Sequence, residues 1–216
     1  MKDKDPIFSG SKEYLEKSFL EELSYKVWST KGARFEGDKR LSRKHSTSNI
    51  SLAILSAYLI IASLYSVYIS NSKSNFQLIS YFITALSILL LVLNQYESSQ
   101  DYKLRAKNFH NCGLELSEIY NKIRIFKTLK KEPNDYEIKN FCENISQEYQ
   151  NILAKYENHL NIDYKNFKIA NLDYFKEITS FQKKLIELKT FWIIYGWYLL
   201  LIFLTPIIIL ILSLYS

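Results

Sequence analysis

Two charge-free apolar runs separated by a short polar break constrain this chain more than any other feature in it. Ile50–Ser70 and Leu78–Leu93 contain no Asp, Glu, Lys or Arg, and Asn71, Ser72, Lys73, Ser74 and Asn75 between them leave room only for a tight reversal. Helical spans over about 50–69 and 77–94 rise 1.5 Å per residue and match a hydrocarbon core of about 30 Å. A third such run, Phe191–Leu214, follows much later, with Trp192, Tyr195, Trp197 and Tyr198 as an interfacial aromatic belt. The pattern predicts an all-α membrane protein. An N-terminal amphipathic helix precedes a transmembrane helical hairpin, the hairpin continues into a cytoplasmic antiparallel helical bundle, and a C-terminal third transmembrane helix closes the chain.

Charge orients these spans. Lys31, Arg34, Lys39, Arg40, Arg43 and Lys44 lie before the first run and Lys103, Arg105 and Lys107 after the second, whereas the reversal holds only Lys73. Basic residues stay on the cytoplasmic side, so the N-terminus and the segment after Leu93 are expected in the cytoplasm. Lys183, Lys184 and Lys189 precede the third run, which puts the C-terminus outside. Four segments follow: a cytoplasmic N-terminal helix with a basic juxtamembrane stretch (1–48), the hairpin (49–96), the bundle (97–190) and the last span (191–216). The mean hydropathy of −0.12 averages over these unlike parts. The net charge of +6 is concentrated beside the spans, which assigns it to topology and lipid headgroups; no direct nucleic-acid partner is expected.

Along the chain, Leu15, Phe19, Leu20, Leu23, Val27 and Trp28 recur at helical spacing opposite acidic residues, a stripe that packs on the protein's own helices or lies on the membrane. Gly32 and Gly37 predict a break or a bend, with Asp38 as the N-cap of a helix running into the first span. Past Leu93 the rhythm Tyr102, Phe109, Cys112, Leu116, Ile119, Ile123, Phe126 predicts that the second span continues as a stalk, ended by Pro133. Asn134 and Glu137 form a capping-box pattern, and Ile138, Cys142, Ile145, Tyr149, Ile152 and Tyr156 supply the matching seam of an antiparallel partner. After a junction at Asn158–Asp163, where Asp163 is the expected cap, Phe167 to Trp192 reads as one helix with Asn171 as its polar seam position.

Small polar residues form stripes within the spans. Asn49, Ser56, Ser63 and Ser70 are seven apart, and Gln77, Ser80, Thr84, Ser87 and Asn94 alternate by three and four or by seven, so each set occupies one helix face. The two faces pack against each other or, in an oligomer, one of them lines an aqueous path.

No catalytic constellation, cofactor loop or metal-ligand set is legible. The chain has three histidines and five glycines, His110 and Cys112 fall on different faces of a helix, and Cys112 and Cys142 read as reduced core thiols. Glu157, Asn158, His159 and Asp163 form the most site-like cluster. A histidine beside carboxylates suits a base or a pH switch, while the same residues also serve to end and cap helices.

Trp28, the run Thr30 to Phe35 containing Arg34, and Lys39-Arg40-Leu41, followed by the hairpin and later by Tyr156 to His159 and Asp163-Tyr164, resemble the signature of the SLATT proteins. These are bacterial two-transmembrane-helix effectors encoded beside nucleotide-signalling or reverse-transcriptase genes in anti-phage systems. The resemblance, closest to the reverse-transcriptase-associated type, implies a non-enzymatic effector of the bacterial inner membrane. It would form a homo-oligomer and permeabilise that membrane in abortive infection when a cytoplasmic sensor, nucleotide-signalling protein or reverse transcriptase is triggered. The alternative is an adaptor that anchors such a partner without forming a pore. The family-motif residues carried over are Trp28, Arg34, Lys39, Arg40, Asn158, His159, Asp163 and Tyr164.

Overall fold

The structure is a computed structural model that describes residues 18–68, 76–130 and 132–214; Ser70, Leu15, the reversal at 71–75 and the side chain of Gln77 lie outside what it describes. Among the described residues there are helices and no strands: α1 (Phe19–Tyr68), α2 (Phe76–Ser99), α3 (Tyr102–Leu129), α4 (Asp135–Lys155), α5 (Asn161–Ala170), α6 (Ser180–Phe191), a π-helical turn (Trp192–Gly196) and α7 (Trp197–Leu214). They fall into two compact units, Met1–Leu41 with Leu104–Thr190, and Ser42–Lys103 with Phe191–Ser216.

In the first unit the heptad-like seams bury one another. Leu23 and Val27 of α1, Cys112, Leu116, Ile119 and Ile123 of α3, and Ile145, Tyr149 and Ile152 of α4 form one core. Contacts between α3 and α4 run in opposite order along the two helices: Phe126 stacks on Phe141 at 4.0 Å, Lys122 pairs with Glu148, and Glu115 takes Lys155. The predicted antiparallel hairpin is therefore present. Its turn ends at the expected capping box, in which Asn134 Oδ1 accepts the Glu137 N–H at 2.8 Å and Glu137 Oε2 accepts the Asn134 N–H at 3.2 Å. The N-terminal part of α1 joins the bundle antiparallel to α3, through Glu21–Lys127, Lys31 over the Tyr120 ring, and Asp38–His110.

Three helix boundaries differ from expectation. α1 does not break at Gly32 or Gly37, because both glycines serve close packing. A Cβ on Gly32 would lie 2.0 Å from Phe167 Cδ2, and one on Gly37 would lie 3.1 Å from Phe109 Cδ1. α2 does not run on into α3: it ends at Ser99, and Asp101 adopts a left-handed φ of 49° before Tyr102 restarts the helix. The segment from Phe167 to Trp192 is not one helix. Asn171 turns its side-chain amide back onto the Phe167 carbonyl at 2.8 Å, competing with the backbone, and α5 stops one residue earlier.

The second unit holds the apolar runs. Ile60, Ile61, Leu64 and Val67 of α1, Ile88, Leu91 and Val92 of α2, and Leu200, Phe203 and Ile207 of α7 are all exposed. An uncovered apolar surface on three helices long and apolar enough to span a membrane is stable only against lipid or further protein. Pro206 sits inside α7, and the π turn before it has Trp192 packed over Gly196, where a Cβ would meet the ring at 2.3 Å.

Candidate functional site

Seven of the eight motif residues converge in the first unit, around the junction between α4 and α5. Arg34, Gly37 and Arg40 are three residues apart on α1 and therefore share a face. Gly37 leaves that face low enough for Asp163 Oδ2 to come within 3.3 Å of where its Cβ would be. Arg40 then grips Asp163 with two parallel bonds, Nε to Oδ1 at 2.7 Å and Nη2 to Oδ2 at 3.0 Å. The same Oδ2 accepts the Leu160 N–H at 2.9 Å, so Asp163 holds the start of α5 from its third position rather than as the expected cap. Asp163 is 0% and Arg40 6% exposed, which makes this a desolvated ion pair.

Among the described residues Arg34, 1% exposed, has no carboxylate partner. Its Nη1 donates to the Glu157 carbonyl and its Nη2 to Asn158 Oδ1 at 3.3 Å, its plane lies over the Phe109 ring, and its Nε is buried without a partner. The Glu157 carboxylate is taken instead by Arg105 of α3, at 2.5 and 2.9 Å, and this contact first of all lowers its pKa. Three guanidinium groups thus clamp one junction that supplies two carboxylates. The excess positive field reaches His159, whose Nδ1 is buried and unpartnered; burial first, and then Arg34, push its pKa down, against Asp163.

Aromatic residues complete the region. Trp28 meets Phe167 edge-on at 4.8 Å and Tyr174 at 4.9 Å, and the Tyr25 and Tyr164 hydroxyls bond at 2.9 Å. Burial and that bond raise the Tyr25 pKa, and burial foremost pushes Tyr174 up to about 12, so both stay neutral phenols. Lys39 is the motif residue left outside, exposed and paired with Glu36 at 2.7 Å. Lys122 and Lys127 are engaged by Glu148 and Glu21 on the bundle surface. Among the described residues no three His, Cys, Asp or Glu converge on a metal-sized site. The geometry is that of a clamp that holds a helix junction.

The polar stripes of the second unit lie elsewhere. Asn49, Ser56 and Ser63 of α1 and Thr84, Ser87 and Asn94 of α2 are exposed, and Ser80 is half-buried. They do not face each other within the chain. Ser56, Thr84 and Ser87 return their hydroxyls to the carbonyls four residues back, at 2.8 Å each. The buried polar residues on this part of α1 are Ser48, Ser51 and Ser66. Of these, Ser48 shares Glu97 Oε2 with the Tyr198 hydroxyl, at 2.8 and 2.7 Å.

Sequence reasoning missed Arg105 as a site residue, the packing role of the two glycines and the Glu97 network. An arginine at a seam position, glycines facing a helix rich in aromatics, and a lone carboxylate four residues past a span were the available signals.

The sequence model of the SMODS and SLOG-associating 2TM effector domain family 5 matches residues 16–212, nearly the whole chain and every residue of the clamp. The chain belongs to this family. No curated protein and no solved structure matches it. The family's name counts two transmembrane helices, whereas the described residues of this SLATT protein include three helices long and apolar enough to span.

The SLATT clamp carries a pH dependence whose sign follows from His159. Its folded pKa lies below the ordinary histidine value of about 6.5. The unfolded chain therefore binds the proton better, and the stability that neutral His159 contributes, complete above that value, is lost as pH falls through the lower folded pKa. Thermal unfolding in detergent is expected at lower temperature at pH 5 than at pH 7, with a shallower acid slope in His159→Gln. An unchanged slope in the variant would assign the effect to other groups.

Proposed function

We propose that this protein is a non-enzymatic effector of bacterial anti-phage defence that oligomerises in the inner membrane and permeabilises it when a cytoplasmic sensor is triggered. Membership of an effector family and three span-length apolar helices support the membrane setting. The observation that carries permeabilisation is the outward position of Asn49, Ser56 and Ser63 on α1 and of Thr84, Ser87 and Asn94 on α2. Uncharged hydroxyls exposed on a span face in one chain are free to meet a second copy or line water between copies. The N-terminus is cytoplasmic and the C-terminus outside, following the basic residues that flank the spans. A nucleotide-signalling protein or reverse transcriptase acts on the clamp region. α1 carries Arg34 and Arg40 as well as the first stripe, so a shift imposed on the clamp has a helix along which to travel.

Liposomes containing the purified protein, alone and with its activated partner, test this by dye release. Leakage is expected from wild type, and the Ser56→Leu, Ser63→Leu and Ser87→Leu triple variant should insert yet lose it. Undiminished leakage from the inserted variant removes the lining role. A membrane that stays tight even with the activated partner present favours a pore-free anchoring adaptor.

A further inference from the structure

The second unit contains a cavity of polar and aromatic character and an apolar furrow that share Leu93. The cavity, about 310 Å³, is lined by Lys44, Tyr96, Glu97, Tyr102 and Trp197 among others, and ends at Leu93. Leu93 also lines the furrow, together with Leu55, Leu86, Leu90, Leu201 and Thr205 from α1, α2 and α7. The cavity's volume is at the lower end of small-ligand pockets, about 300–1,000 Å³. From Glu97 to Leu86 along α2 is eleven residues, about 16 Å of helix, close to half the thickness of the hydrocarbon core. A compartment with a polar head and an apolar tail one leaflet long has the outline of a single phospholipid.

The charges select its headgroup. Lys44 places its ammonium 5.0 Å from the Tyr102 ring centroid and makes no ion pair among the described residues, leaving a cation for a phosphate. Glu97 is the one carboxylate of the cavity lining. Its Oε2 accepts from Ser48 and Tyr198, which fixes the group in place, and its Oε1 is left as an acceptor. A fixed carboxylate beside Tyr96, Tyr102 and Trp197 is the environment that holds an organic ammonium, by charge and by the faces of aromatic rings. A purely anionic headgroup would meet Glu97 with like charge.

We propose that the cavity and furrow bind one zwitterionic phospholipid of the phosphoethanolamine class, with phosphate toward Lys44, ammonium toward Glu97 and an acyl chain along Leu93, Leu90 and Leu86. The site is independent of whether the protein forms a pore. Native mass spectrometry of the full chain in detergent, titrated with dioleoyl-phosphatidylethanolamine or dioleoyl-phosphatidylglycerol, tests it. Wild type is expected to retain the ethanolamine lipid about fivefold better, the scale of one solvent-exposed cation–aromatic contact. Glu97→Gln should abolish the preference. Lys44→Gln, which disturbs no hydrogen bond, should weaken both lipids, and Leu201→Trp, which fills the furrow, should do the same. Equal retention of the two lipids by wild type overturns the proposal. So does a preference that survives Glu97→Gln, or a dimer that forms as lipid is lost, which would make the furrow a contact between copies.

Discussion

Asp163→Asn is expected to destabilise the helical bundle by about 3–5 kcal/mol, the range found when one partner of a buried ion pair is removed. Arg40 would remain desolvated beside a neutral amide, and the Leu160 N–H would compete for the single oxygen left to accept. Coulomb attraction at this depth is strong, but so is the cost of desolvating both ions, so the intact pair need not contribute much net stability. The loss comes from leaving a guanidinium uncompensated. Replacing both partners, Arg40→Met with Asp163→Leu, is therefore expected to recover most of what Asp163→Asn loses. Thermal and denaturant unfolding followed by far-ultraviolet circular dichroism measures this, with Lys39→Gln as an exposed control expected to stay near wild type. A double variant no more stable than the single one would show that the charges themselves hold the junction.

Gly32→Ala sets two effects against each other. Helix propensity favours alanine by about 1 kcal/mol. The added Cβ, however, would lie 2.0 Å from Phe167 Cδ2 and 2.2 Å from Cε2, well inside contact distance. Phe167 cannot easily move aside: it is buried, with Trp28 edge-on at 4.8 Å, Phe175 at 5.9 Å and Tyr164 stacked on it at 6.2 Å. Overpacking a site of this kind costs about 1–3 kcal/mol, and here the core must shift by more than an ångström. The substitution is expected to lower the unfolding midpoint despite its better propensity. Combined with Phe167→Leu it should cost less than the two single changes summed, since neighbours in contact couple by about 0.5–3 kcal/mol. A Gly32→Ala protein more stable than wild type would mean that propensity, not packing, governs the position.

These two cases mark where the sequence was legible. The spans, the antiparallel seams of α3 and α4, and the Asn134 capping box follow from local rules: charge-free length, three-four spacing, and an amide three residues before a glutamate. Gly32 and Gly37 were misread because propensity treats a glycine as a weakness of its own helix, whereas here it accommodates a phenylalanine and an aspartate from elsewhere in the chain. The polar stripes were read as periodic faces, but periodicity does not state which way a face turns. Ser48, Ser51 and Ser66 turned inward, while Ser56 and Ser63 did not.

The sequence by itself determined the helical class, the apolar spans and the members of the motif, because hydropathy and helical period are local properties that act before any long-range contact. Only the tertiary structure decided that Arg34, Arg40 and Arg105, from two helices, close on one junction more than fifty residues further along the chain, leaving Arg34 without a carboxylate and His159 in its field. It also decided that Lys44, Glu97 and Trp197 line one cavity. Partner choice among charges depends on distance and burial, and neither is encoded at any single position.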